Sequence, residues 1–137
     1  MSQLPKRIRS LPCRRMIQEK TGQSLLQNCY IAREFRARFF GLMGVEALPS
    51  TDGLLLEPCK DIHMGFMRLP IDAIFLRRLE SRENLSGRYE VTSIQEGLRP
   101  WRFLPARDGS ATSTLEVQSG LATRLKLRPG DILLCSS

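Results

Sequence analysis

Apolar positions along this chain fall in short runs separated by turn residues, not in long helical stripes. The segments 25–31, 54–56, 62–67, 71–77, 88–94, 112–118 and 132–135 each have the length and the apolar or alternating content of a strand. Leu48-Pro49-Ser50-Thr51-Asp52-Gly53 and Arg128-Pro129-Gly130-Asp131 concentrate turn formers, and the polar stretch 80–87 reads as a hairpin loop. Pro70 has no N–H for a ladder, so it marks the corner between the strands at 62–67 and 71–77. In the last turn Gly130 supplies a positive φ and Asp131 accepts amide hydrogens. Helical spacing is rarer. Residues 33–43 are strong helix formers with Phe35, Phe39 and Leu42 on one face, which predicts a helix closing one side of the core. A short helix is expected over 14–20, and one or two turns over 119–125 with Ser119 as the N-cap. The pattern predicts a mainly β, single-domain antiparallel β-sandwich or flattened barrel with one or two short helices.

A chain of 137 residues, 42% hydrophobic and 26% charged, suits one soluble domain. Charge divides it further. Residues 1–40 hold nine basic and two acidic side chains, which accounts for the whole net charge of +7. The expectation is a basic, flexible arm over 1–23 and a β-rich domain over 24–137. Such an arm could touch nucleic acid or an anionic surface through charge alone. No apolar run approaches the roughly 18–20 residues of a membrane span, and Ile8, Leu11 and Met16 stand isolated among charges, so no secretory signal is read. A cytoplasmic location is expected. Cys13, Cys29, Cys59 and Cys135 are too scattered for a disulfide scaffold or a C-x-x-C site, which suits free thiols.

Candidate chemistry gathers around 59–76. The spacing Cys59-x3-His63-Met64-x2-Met67 offers a soft-metal ligand set, although strand alternation would put His63 and Met67 on one face and Met64 on the other. Met67 serves equally as a pocket or core wall. Asp72 is a carboxylate inside an apolar run and needs donors. Arg38 is the chosen partner, with a backbone amide near Pro70 as the competitor. Glu116 alternates with Leu115 and Val117, which places it on the solvent face; with Asp72 and His63 in one cleft it would support acid–base chemistry. Trp101, between Pro100 and Arg102, is either an exposed clamp for a ligand, sugar or peptide or a cap on the core. No G-x-S-x-G elbow, P-loop, dinucleotide fingerprint or zinc-finger spacing occurs.

Several blocks occur in an ordered series: Arg38 before Gly41-Leu42-Met43-Gly44, Met67 before Pro70-Ile71-Asp72, Leu115-Glu116-Val117 before Gly120, and Leu127-Arg128-Pro129-Gly130-Asp131. Over roughly 25–135 this series resembles the bacterial domain-of-unknown-function family 192. The chain departs from many relatives in carrying Phe66-Met67 for Trp-Met and in lacking their secretory signal. The resemblance implies a small β-rich protein without an established activity. The expected function is a non-catalytic binding or accessory domain for a protein segment or small ligand, using His63, Met67, Asp72, Trp101 and Glu116. Arg38, Gly41, Pro70, Gly130 and Asp131 are given structural roles, and no catalytic residue, metal or cofactor is assigned. The alternatives are a small hydrolase using Asp72 or Glu116 with His63, and a copper- or zinc-binding protein.

Overall fold

Strands that each carry one apolar face can bury all of those faces at once by closing on themselves. The computed structural model describes residues 4–79 and 87–136, so the loop expected at 80–87 lies, apart from Gly87, outside the described residues. The strands are β1 (Cys13–Gln18), β2 (Ser24–Ala32), β3 (Asp52–Leu56), β4 (Asp61–Ile62), β5 (Ile71–Arg78), β6 (Gly87–Leu98), β7 (Ala106–Arg107), β8 (Ser113–Gln118) and β9 (Ile132–Ser136). The helices are α1 (Lys6–Arg9), α2 (Phe35–Phe40) and α3 (Leu121–Arg124). Seven strands form a closed barrel in the order β1-β2-β3-β8-β5-β6-β9, and β4 pairs with β7 in a separate ribbon. The fold is mainly β, and of the two expected architectures it is the barrel. Every barrel pair is antiparallel except β2 with β3, which lie parallel across the connection containing α2.

Two apolar layers follow from the alternation. The first takes Met16, Cys29, Leu55, Leu115, Ile74, Val91 and Leu133, one or more from each of the seven strands, and is therefore the barrel interior. The second lies on the outer face of β2, β3 and β5, where Tyr30, Leu54, Leu56, Ala73 and Phe75 meet residues of the long connections: Leu4, Ile8, Leu42, Leu48, Met64 and Met67. The connections thus form a second layer over one side of the barrel.

Charged groups hold both ends of β5. At its C-terminal end Glu57 is buried, accepting from Arg33 (2.8 Å), Arg78 (3.1 Å), Tyr89 (3.0 Å) and Ser113 (2.8 Å). Burial pushes the Glu57 carboxyl up, but the Ser113 hydroxyl, the Arg78 charge and the bonds from Arg33 and Tyr89 outweigh it and hold the group below the ordinary carboxylate range. Gly87 has a packing reason, since a Cβ there would lie 2.7 Å from the Arg78 guanidinium. At the N-terminal end Asp72 is fully buried and accepts from three backbone amides, Gly97 (2.8 Å), Gly120 (3.0 Å) and Ala122 (3.1 Å). It ties β6 and the start of α3 to β5.

Several expectations are corrected. Residues 13–18 are not part of a flexible arm but a barrel strand, with Met16 opposite Leu26 on β2 and Cys135 on β9. Leu4 and Ile8 are buried in the outer layer, so the N-terminal segment is integral to the fold. The helix expected over 14–20 is therefore β1, and the nearest helix is α1. The strand expected at 62–67 ends at Ile62, because Phe66 turns the chain at φ 62°. The residue at the α3 N-cap position is Gly120, with no side-chain cap of its own, and the Asp72 carboxylate takes that part from the neighbouring strand β5. On α2, Phe35 and Phe39 point outward at 70% and 60% exposure, and only Leu42 beyond it joins the core.

Candidate functional site

Strand β8 shows its interior face through Ser113, Leu115 and Val117 and its outer face through Thr114, Glu116 and Gln118. All three outer residues are polar, yet the connecting layer covers them, and each needs a partner there. Thr114 donates to the Cys59 carbonyl at 3.1 Å, and Gln118 donates to the Leu48 carbonyl at 3.2 Å. Glu116, between them, has none. It is 4% exposed, and among the described residues its Oε1 is buried without a hydrogen bond. Burial alone pushes its carboxyl up to about 7.

In front of that carboxyl the covering layer opens into a cavity of about 280 Å³. Its walls are Gly41, Leu42 and Met43 on one side and Leu56, Cys59, Ile62, His63 and Met67 on the other. Gly41 ends α2 at φ 47°, a conformation suited to glycine, and a Cβ there would lie 3.5 Å from Glu116 Oε1. The wall is fastened from outside, because Arg7 donates to the Gly41 and Met43 carbonyls at 2.7 Å each. Arg38 enters the wall with its guanidinium turned to backbone, donating to the Arg33 and Pro58 carbonyls at 3.2 and 3.0 Å. Burial pushes the Cys59 thiol up, and it donates to the Asp61 carbonyl at 3.1 Å, an arrangement that favours the thiol over the nucleophilic thiolate.

Aromatic rings frame the mouth. Phe66 and Trp101 are 67% and 63% exposed, with ring centroids 4.9 Å apart. Both hold φ of 62°, which is unusual for bulky side chains. Backbone contacts fix them there, with Gly44 N–H donating to the Phe66 carbonyl at 3.1 Å and Trp101 N–H to the Met64 carbonyl at 2.8 Å. Phe39 and Phe40 of α2 meet edge to face at 5.4 Å and line the same mouth. An exposed aromatic group of this size on a small domain is the usual mark of a contact surface.

His63, Met67 and Glu116 therefore line one cavity, and Trp101 stands at its mouth. Asp72 does not join them. Its ladder partner Val117 points into the barrel interior, whereas Ala73, the partner of Glu116, belongs to the outer layer. The partner expected for Asp72, Arg38, is on the cavity side, and amides from β6 and the start of α3 take its place. Glu116 is not on a solvent face, as alternation alone suggested, because the connections cover it. Pro70 is exposed just before β5, and Asp131 accepts from the Arg128 amide at 2.9 Å in the turn where Gly130 has φ 96°. Cys59, His63 and Met67 share the cavity wall, but among the described residues no three His, Cys, Asp or Glu side chains form a set that could hold a metal ion.

Sequence reasoning missed Phe66, Phe39 and Phe40 as rim residues and Arg7 as the clasp. The signal for the phenylalanines was present as surplus, since the face assigned to the core needed only Leu42. Arg7 carried none, because its two acceptors are backbone atoms more than thirty positions away.

Solved structures share this architecture. A protein of unknown function from Novosphingobium aromaticivorans superposes with a TM-score of 0.76 at 22% identity, over 97% of this chain and 92% of its own. A protein from Sinorhizobium meliloti described as a candidate transcription regulator gives 0.74 at 22% identity, over 92% and 95%. At that identity the likeness speaks for the fold alone. No curated protein matches the chain. The model of DUF192, Uncharacterized ACR, matches residues 16–134, from the first barrel strand to the last, and the chain belongs to that family.

Proposed function

We propose that this chain is a non-catalytic binding module that receives a ligand in the largely apolar cavity above Glu116. One observation carries the reading: a carboxylate oxygen buried without a partner, facing an open cavity. Leaving such a group unsatisfied costs about 1–3 kcal/mol or more, so a fold keeps it where something else completes it. The blocks of the family resemblance support the same place, since Arg38, Gly41-Leu42-Met43, Met67 and Glu116 all border this cavity. The aromatic mouth gives the ligand an entry surface.

Trp101 is the single tryptophan of the chain and reports on that mouth. Titration with a set of small aromatic and aliphatic compounds is expected to change its emission saturably and to shift the amide resonances of Gly41 and Gly65. A Cβ at Gly65, on the cavity lining, meets nothing within 4 Å, so Gly65→Leu is chosen to fill the cavity while Trp101 stays the single tryptophan. The blocked variant is expected to lose both responses. Shifts that avoid the cavity amides, or persist in Gly65→Leu, contradict the reading. A second reading, hydrolysis by Glu116 with His63, is favoured by their shared cavity; turnover abolished by Glu116→Gln in a folded protein would establish it instead.

A further inference from the structure

The binding module proposed above leaves open what chemistry its ligand presents, and the cavity carries an answer. Among the described residues no donor reaches Glu116 Oε1, so the missing partner is a donor that the ligand brings. The walls around it are Leu42, Leu56, Ile62 and Met67, which offer no compensating charge. Among the described residues the cation on the cavity wall, Arg38, is directed to the carbonyls of Arg33 and Pro58, the cation at the mouth, Arg68, pairs with Glu46 at 2.9 Å, and Asp61 adds a second carboxylate to the lining. At the entrance, the ring faces of Phe66, Trp101, Phe39 and Phe40 carry the negative side of their quadrupoles. An anion would meet carboxylate and π-faces together. A neutral donor would satisfy the hydrogen bond but leave the charge uncompensated. We infer that the site takes an organic ammonium on an apolar stem, with the ammonium group on Glu116 and the stem between the aromatic rings and the Met67 wall.

That ammonium can belong to a free amine or to a lysine side chain of a partner. In both cases the same contact forms, since Glu116 is buried and the rings stand at the mouth. Proton linkage gives the contact a signature. Glu116 must be ionised to hold a cation, so ammonium affinity rises with pH through neutrality, whereas affinity for a neutral analogue does not. Among the described residues the other charged or titratable groups around the cavity are Arg38 from α2, Asp61 from β4, Cys59 and His63 from the connection between β3 and β5, and at the mouth Arg68, which pairs with Glu46. His63→Gln serves as the control for the imidazole that shares the cavity wall.

The inference rests on the cavity being a binding site, and the test separates the two. Calorimetric titrations with 2-phenylethylammonium, 2-phenylethanol and 3-phenylpropionate, alongside a capped Phe-Lys-Phe tripeptide, are made at pH 6 and pH 8 on the wild type, Glu116→Gln and His63→Gln. The ammonium is expected to bind at least about tenfold more tightly than the alcohol at pH 8, to weaken by about tenfold at pH 6, and to lose its advantage in Glu116→Gln but not in His63→Gln. Stronger binding of the tripeptide than of the amine assigns the source to a partner's lysine, and the reverse assigns it to a free amine. If the alcohol or the carboxylate binds as well as the ammonium, or Glu116→Gln keeps the preference, the charge assignment is overturned while the binding module stands. If no probe shifts the cavity amides, both are overturned. Glu116→Gln removes a buried charge and keeps the shape of the side chain, so loss of folding does not obscure the result.

Discussion

In the folded chain Glu116 retains a proton that the unfolded chain releases at the same pH. Its carboxyl titrates near 4.5 when unfolded and at about 7 when folded. The native state therefore binds more protons between those values, and stability falls as pH rises through that window. The penalty is absent below about 4.5 and complete above about 7, where the shift corresponds to ~3 kcal/mol. Glu116→Gln is expected to match the wild type in urea unfolding at pH 4 and to be more stable by up to ~3 kcal/mol at pH 8.5. Equal stability at both pH values would show that the carboxylate finds a partner in solution. Asp72, also buried on a neighbouring strand, shows the opposite solution, because three amide donors satisfy it. Its need for company was legible in the sequence, a lone carboxylate in an apolar run. The identity of that company was not, since backbone amides are the same at every residue. Glu116 was misread for a related reason: alternation with Leu115 and Val117 gave its face correctly, but nothing local says whether that face is covered.

At the scale of elements, runs with apolar alternation were read almost to the residue, as in β2, β3, β5, β8 and β9. The failures are elements whose cause lies elsewhere in the chain. In β1, Arg14 and Arg15 hide the alternation, and Met16 is the one residue of the strand that is fully buried; the strand exists because β2 and β9 present open edges on both sides of it. Outward-facing phenylalanines made α2 look like a core helix, because an exposed hydrophobic stripe has the same periodicity as a packed one. Residues 62–67 have strand composition but turn to build the cavity wall, held by bonds to Gly44 and Trp101. The role given to β1 has a direct consequence. Deleting residues 1–18 opens the barrel between β2 and β9, so the truncated chain is expected to lose cooperative thermal unfolding and near-ultraviolet circular dichroism. A truncated chain that still melts cooperatively would return this segment to the status of an appendage.

Taken as a whole, the molecule uses its two layers differently. The barrel interior is packed, with Glu57 and Asp72 anchoring the two ends of β5. The outer layer is assembled from connections, carries the exposed rings, and leaves one polar position on β8 without a partner. Function is most economically placed in the second layer, on a scaffold stiffened by the first. That division was only partly visible beforehand, since strand content foretold the barrel while the covering layer is made of isolated apolar residues such as Leu4, Leu42, Leu48 and Met64, each unremarkable in its own loop. Everything assigned to the cavity depends on Glu116 standing unsatisfied in the free protein. Carbon-detected NMR titration of the Glu116 side-chain carboxyl, assigned by comparison with Glu116→Gln, measures this directly. A midpoint near 7 is expected for the free protein; a midpoint at the ordinary glutamate value of about 4.3 would mean that the carboxylate is already hydrated or paired, and that the cavity holds no vacancy for a ligand to fill.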